Sequence, residues 1–392
     1  MSSNIAKQFL LSEDVTFLNH GSYGACPRVV FEAYQEWQRV LESQPVAFFN
    51  PKHGLPLRVG AVRHDLGAFL GTSGDNIVGM MNVTMALNLV ARSLKLNPGD
   101  EILTTDHEYA ALDKTWAFVC NLTGAKIRVV TVPMPLTSEE AFTQAILDGM
   151  TDKTRVLFLS HITSPTALVL PIERSVAEAK KRGILTVIDG SHAPGLIPLD
   201  LEALDADFYG GNCHKWMMSP KGAGFLYVRP EMQDLCDPLI ISHGWTADGK
   251  TSGKPGPFGN THFIDSIEFQ GTRDPSAWLA VSDAIRFRQD NNWDQVAKDC
   301  RDLAQETARR VQALTGLAPL SSPEFCAPQM VAMPVPECDP DWLHDTLIES
   351  YNIEIPCFKW QDHHIVRVSI QGYNDRRDTD RLIEALTELL KL

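Results

Sequence analysis

Short apolar runs alternate with stretches of helical period through the middle of the chain. Val156-Leu157-Phe158-Leu159 follows the polar Thr151–Arg155, Ile184-Leu185-Thr186-Val187-Ile188 follows a helical Ile172–Arg182, and Gly224-Phe225-Leu226-Tyr227-Val228 follows a glycine-containing turn. Consecutive apolar positions in runs this short predict strands buried on both faces, since a half-buried strand alternates instead. Upstream, Thr84–Leu94 predicts a helix opening after a polar turn, and Glu101–Thr105 predicts a strand after the Asn97-Pro98-Gly99-Asp100 turn. Strand and helix alternating in this way predict βαβ units, and therefore an α/β fold with a mostly parallel sheet between helices.

Beyond Ser276 the pattern changes. Trp278–Phe287 and Trp293–Leu314 predict helices, Gln329–Val335 and His363–Ile370 read as strands, and a helical period closes the chain, which together predict a smaller α+β domain. The segment from Gly244 to Phe263 is rich in Gly, Pro, Ser and Thr and predicts a loop bordering the site.

A length of 392 residues allows two domains, or one large α/β domain with an appendage. The hydrophobic share of 44% and charged share of 21% are those of a globular protein, which sets disorder and fibrous repeats aside. A net charge of -14 argues against nucleic acid, whose binding runs on clustered Lys and Arg. No apolar run approaches the roughly 18 residues a membrane helix needs. Residues Met1–Val15 lack a basic segment followed by an apolar one, so no membrane and a cytoplasmic location are expected. The eight cysteines are scattered singly without a CxxC pair, so reduced thiols and no metal are expected.

Three segments carry candidate chemistry. Asp189, in Ile188-Asp189-Gly190-Ser191-His192, stands at the carboxyl end of a predicted buried strand, the edge where open α/β sheets bind ligands. Lys215, in Asn212-Cys213-His214-Lys215-Trp216, is flanked by apolar and aromatic residues, and desolvation makes a lysine a nucleophile toward an aldehyde. Asn82-Val83-Thr84-Met85 opens a helix whose free N–H groups suit a phosphate. An aldehyde, an anion and a ring nitrogen kept protonated by a buried carboxylate are the three handles of pyridoxal 5′-phosphate (PLP). Bound PLP acts as an electron sink for chemistry at an amino-acid α-carbon.

The order and spacing of these segments resemble the class V (fold type I) aminotransferases, from about Phe17 to Asn374. The resemblance implies a PLP-binding domain over residues 20–270 around a seven-stranded-type sheet, and a small domain from residues 1–19 and 271–392. It implies Lys215 as the Schiff-base lysine, Asp189 as the pyridinium partner and His192 as the contact to the ring O3′. His214 and the turn of Asn82, Thr84 and Met85 would hold the phosphate. Either His107 or Tyr109, in Asp106-His107-Glu108-Tyr109, would stack on the ring, since residues two apart share a face in an extended segment. Ser164 replaces the family's usual Asn near O3′. Gly271-Thr272-Arg273 resembles a motif whose Thr272 reaches the phosphate of the neighbouring subunit, which implies a homodimer with shared sites. Arg367 matches the arginine that grips the substrate α-carboxylate, and Asn374 completes that block.

Within the class, Leu18-Asn19-His20-Gly21-Ser22-Tyr23-Gly24, Ser160–Pro165 and Val366-Arg367-Val368-Ser369 are most similar to the isopenicillin N epimerase-like subgroup. That similarity implies α-proton removal by Lys215 and return of a proton on the opposite face, with His107 or Tyr109 as the second acid. A C–S lyase of the hercynylcysteine sulfoxide type and a transaminase are the enzymatic alternatives, and fold does not separate them. Cysteine desulfuration is disfavoured, because Cys357 sits too close to Arg367 for a mobile nucleophile loop and is expected to act as a small hydrophobe. A binding or regulatory module needs neither a proton-transfer base nor a carboxylate clamp, yet Lys215, Asp189 and Arg367 are all present. Asn19, His20, Tyr23 and Trp245 are the expected substrate-pocket residues.

Overall fold

A computed structural model describes residues 3–392. Seven strands form the central sheet in the spatial order Ile77–Met80, Gly224–Val228, Phe208–Asn212, Leu185–Gly190, Thr154–Ser160, Glu101–Thr105, Lys126–Val130. The four pairings from Phe208–Asn212 to Lys126–Val130 are parallel, while Gly224–Val228 runs antiparallel to both its neighbours. The reason is the connection before it: residues 213–223 hold no crossover helix, so the chain turns back on itself.

Period-two alternation serves two cores at once. Val156 and Phe158 join Val90, Ile102, Trp116 and Leu226 on one face of the sheet. Leu157 and Leu159 join Leu66, Phe142, Ile188 and Trp216 on the other. The predicted central strands are therefore buried on both faces. The sequence patterning had not marked Lys126–Val130, an exposed edge strand whose Lys126 and Arg128 discourage further pairing.

The smaller antiparallel sheet has the order Cys357–Trp360, His363–Ser369, Met330–Val335. Its core gathers Val366, Val368 and Met333 with Leu343 from Pro340–Tyr351, Cys300 and Ala304 from Trp293–Thr315, and Leu382 from Arg376–Leu390. Phe9, Leu18 and Val30 lie in the same cluster, and Thr16–Phe17 pairs with Ile353–Glu354, so the amino-terminal segment packs with the carboxyl-terminal region. Ala332 and Ile365 belong instead to the core of the large sheet and tie the two regions together.

One predicted helix differs. Trp278–Phe287 is two helices, Ser276–Leu279 and Val281–Asp290, broken at Ala280. Trp278 and Leu279 pack in the large core, and the second helix feeds both, Val281 and Ile285 the large core and Ala284 and Phe287 the smaller one. Residues 236–261 contain no helix or strand, so the expected loop is present but ends two residues early, where the helix His262–Glu268 begins. Among the described residues no helix is long and apolar enough to cross a membrane.

Candidate active site

The candidate residues converge because the parallel strands all end on one edge of the sheet. Asp189 lies one residue from the end of Leu185–Gly190 and pairs in register with Ser160, the last residue of Thr154–Ser160. Lys215 follows the end of Phe208–Asn212 by three residues, and His107 follows the end of Glu101–Thr105 by two.

Lys215 is clamped through its backbone. The ring Nε2 of His20 lies 3.0 Å from the Lys215 carbonyl oxygen. Gly24 crosses above with φ +70, where a Cβ would stand 2.1 Å from the His214 oxygen, so only glycine fits. The Nζ of Lys221 donates to the Gly24 carbonyl at 2.8 Å and fastens the crossing. Part of the Lys215 side chain stays accessible, but its amine lies in a desolvated pocket that lowers its pKa to about 7; Arg367 adds repulsion and Asp189 partly offsets it. Lys215 Nζ is 3.1 Å from Nε2 of the buried His192, and Trp216 Nε1 is 3.3 Å from the other ring nitrogen.

Asp189 is buried, and its Oδ1 accepts from the Ser191 backbone N–H at 2.8 Å; burial raises its pKa while Ser191 and Lys215 lower it. Beside it lies Glu108, which sequence reasoning missed although it sits between two named candidates. Its oxygens accept from Thr105 Oγ1 at 2.7 Å and Ser160 Oγ at 2.6 Å, and burial pushes its carboxyl up to about 8.

The structure separates His107 from Tyr109. Residues 106–108 form a turn, so the two-residue alternation of an extended segment does not apply. His107 is wholly buried, with Nδ1 donating to Asp106 Oδ1 at 2.8 Å, its ring 4.3 Å from that of Trp360, and Nε2 without a partner among the described residues. Tyr109 begins the helix Ala110–Thr123 and is 46% exposed.

At the turn before Val83–Ser93, the cap is Asn82, whose Oδ1 accepts from the Met85 N–H at 2.9 Å; Thr84 lies inside the first turn. Asn212, also missed, takes the Val83 N–H at 3.0 Å. No hydrogen bond reaches the Thr84 amide among the described residues. His214 donates through Nδ1 to the Ala223 carbonyl at 3.2 Å, and burial lowers its pKa to about 4, so Nε2 presents a lone pair unless an anion draws a second proton.

Arg367 is 4% exposed and, among the described residues, its side chain meets two serines and no carboxylate. Its Nη1 donates to the Ser164 carbonyl and, at 3.2 Å, to Ser164 Oγ; its Nη2 donates to Ser22 Oγ at 3.3 Å; its Nε has no partner. Burial lowers its pKa to about 10. Ser164, expected near the ring, is thus engaged with the arginine, and Ser22 is a partner that sequence reasoning had not singled out. Phe358 covers the guanidinium at 5.9 Å.

His20 offers a substrate no surface. It is fully buried, Nδ1 meets Tyr373 Oη at 3.0 Å, and burial lowers its pKa to about 3. Asn19 is tied to Glu354 and Ser22, and Asn374 to the Phe17 carbonyl and Asp378. Tyr23 and Thr272 are exposed, and Trp245 partly so. Cys357 opens the strand Cys357–Trp360, and burial pushes its thiol up to about 12, which suits a packed hydrophobe and not a nucleophile.

The donor set fits PLP. Among the described residues, His107 Nε2 and Arg367 Nε are buried without partners; the desolvated lysine, the buried carboxylate and the open helix start stand at the carboxyl edge of the large sheet, and Arg367 comes from the small-sheet strand His363–Ser369. The aminotransferase class-V family model matches residues 22–382. The chain belongs to that family and is a PLP-dependent enzyme. It is 36% identical to isopenicillin N epimerase of Amycolatopsis lactamdurans, over 99% of this chain and 98% of that one. Identity to the Streptomyces clavuligerus isopenicillin N epimerase is 32%, over 97% and 96%. Hercynylcysteine sulfoxide lyase of Schizosaccharomyces pombe is 24% identical over 98% and 97%. Among solved structures, a C-DES variant with glycine covalently linked to its PLP cofactor is similar with a TM-score of 0.81 at 20% identity, covering 97% of this chain and 98% of that one.

Proposed function

We propose that the chain is an amino-acid epimerase of the isopenicillin N epimerase type. One observation carries the amino-acid chemistry: a buried guanidinium with no counter-ion among the described residues, Arg367, lies within electrostatic reach of an amine lowered to about 7, Lys215, and the 36% identity to an isopenicillin N epimerase favours epimerisation. A buried cation without an anion is costly, and a substrate α-carboxylate in its planar fork would relieve that cost and fix the α-carbon. When bound, PLP supplies the electron sink that makes the α-proton acidic. Lys215 and Asp189 would hold its aldehyde carbon and ring nitrogen, the Asn82–Met85 turn with His214 its phosphate, and His192 its ring oxygen.

Lys215, whose amine loses its charge as pH rises through about 7, takes the α-proton on its own side. His107 is the favoured opposite group, because it is buried with Nε2 unpartnered while Nδ1 is held by Asp106. The exposure of Tyr109 makes it the less protected donor. A homodimer, with exposed Thr272 reaching its partner's phosphate site, belongs to this proposal. So does a division into residues 20–270 and residues 1–19 with 271–392, which the shared cluster of Phe9, Leu18 and Val366 supports. Eight cysteines, none of them in a disulfide among the described residues, support a cytoplasmic location.

The test follows L- and D-amino acids in deuterated water, reading α-proton exchange, enantiomer ratio, pyruvate and keto acids. Interconversion of enantiomers without net product, lost in Lys215→Ala, is the expected result. Pyruvate formation from a sulfur-bearing substrate would instead make it a C–S lyase, and an amino-acceptor-dependent keto acid a transaminase.

A further inference from the structure

His192 lies between two nitrogen-bearing side chains, and the two contacts together decide where its proton sits. Trp216 Nε1 is 3.3 Å from Nδ1 and Lys215 Nζ is 3.1 Å from Nε2. An indole N–H donates and never accepts, so Nδ1 must offer it a lone pair. A neutral imidazole with a bare Nδ1 carries its proton on Nε2, and that N–H is directed at Lys215. The lysine accepts it through the lone pair of an uncharged amine. Protonating the ring would set two donors against each other at Trp216, and burial already holds His192 well below its ordinary pKa.

Trp216 is itself rigidly seated. It is 1% exposed, and its carbonyl accepts from Arg288 Nη1 at 2.9 Å while Arg288 Nη2 donates to the Gly195 carbonyl at 3.1 Å. His20 packs against its ring at 4.9 Å.

We propose that Trp216 is a positioning residue that locks His192 in its Nε2–H tautomer, and that this tautomer holds Lys215 as the free amine that captures the cofactor aldehyde. Once the amine is engaged, the same N–H is left to donate to an anionic ring oxygen, which a bare Nε2 would repel. Without the indole N–H, His192 can move its proton to Nδ1 and accept from a lysine ammonium instead, which stabilises the charged form. The inference rests on the PLP-enzyme reading and on this geometry, and it holds for epimerase, lyase or transaminase alike.

The test is nitrogen-15 histidine spectroscopy of the full chain, with its cofactor and stripped of it, with His192 assigned by its loss in His192→Gln. Trp216→Phe is the first variant. Trp216→benzothienylalanine is the second, since it keeps the shape and replaces only the N–H by sulfur. In the parent protein His192 is expected to show a bare Nδ1 and a protonated Nε2 in both samples. In the variants this single tautomer is lost, and the pH midpoint for acylation of Lys215 in the stripped chain, read by mass spectrometry, rises by about one unit. The charged or titrating groups facing this pair, Asp189, Arg367 and His214, are untouched by either substitution. A folded benzothienylalanine variant that keeps the Nε2–H tautomer, or a parent protein with Nδ1 protonated, overturns the proposal. Failure of epimerisation alone leaves these signals in place, so the two proposals fail separately.

Discussion

Arg63 and Arg367 are both almost wholly buried, at 3% and 4% exposure, yet their surroundings differ. Arg63 is paired through Nη1 with Glu268 and through Nη2, at 3.2 Å, with Asn260 Oδ1; Glu268 in turn takes the Gly79 N–H at 3.1 Å. Every charge there has its counter-charge within the chain, and the network joins the helix Leu55–Leu70, the strand Ile77–Met80 and the helix His262–Glu268. Arg367 meets only two serines and an aromatic face. The first arrangement closes a structure. The second leaves a buried positive charge with no counter-charge among the described residues, which is the arrangement expected of the carboxylate-binding position proposed above.

The comparison can be broken most sharply at Glu268. Glu268→Gln leaves the Arg63 charge buried without its partner and is expected to cost about 3–5 kcal/mol of stability, read as a fall in the urea midpoint. Arg367→Met removes a cation with no counter-charge among the described residues, so the midpoint should hold or rise while KM for the amino acid climbs roughly a hundredfold, near 2.7 kcal/mol of lost carboxylate binding. If Arg367→Met unfolds as Glu268→Gln does, the distinction between the two arginines is lost.

The smallest effect concerns His20, whose folded pKa is about 3 against an ordinary 6.5. Between those values the unfolded chain binds more protons, so stability falls as pH drops through that window, by up to about 1.4 kcal/mol per pH unit for one histidine. His161 and His214, lowered to about 4 by burial, act in the same direction. His20→Gln should flatten the slope of urea midpoint against pH between about 6 and 4; an unchanged slope would remove His20 as a contributor.

Much of this was legible in the sequence where the signal is local. Apolar runs such as Val156–Leu159 announced buried strands because both faces of a covered sheet demand apolar side chains. Lys215, Asp189 and Arg367 stood out because their chemistry depends on residue type within a short motif. The illegible part lies between segments distant in the chain. Glu108 and Ser160 are 52 residues apart, and Arg367 and Ser22 are 345 apart. The break at Ala280 falls on a good helix former, so local propensity does not announce it.

The sequence by itself determined the alternation of strands and helices, the family and the side chains proposed to hold PLP, because period and motif are written in neighbouring residues. Only the tertiary structure decided that His107 turns inward while Tyr109 turns out, that His20 is a clamp on the Lys215 backbone, and that Ser164 serves Arg367. Burial and hydrogen-bond partners are properties of packing, and it is these that set whether a given histidine, serine or arginine is structural, charged or free to act.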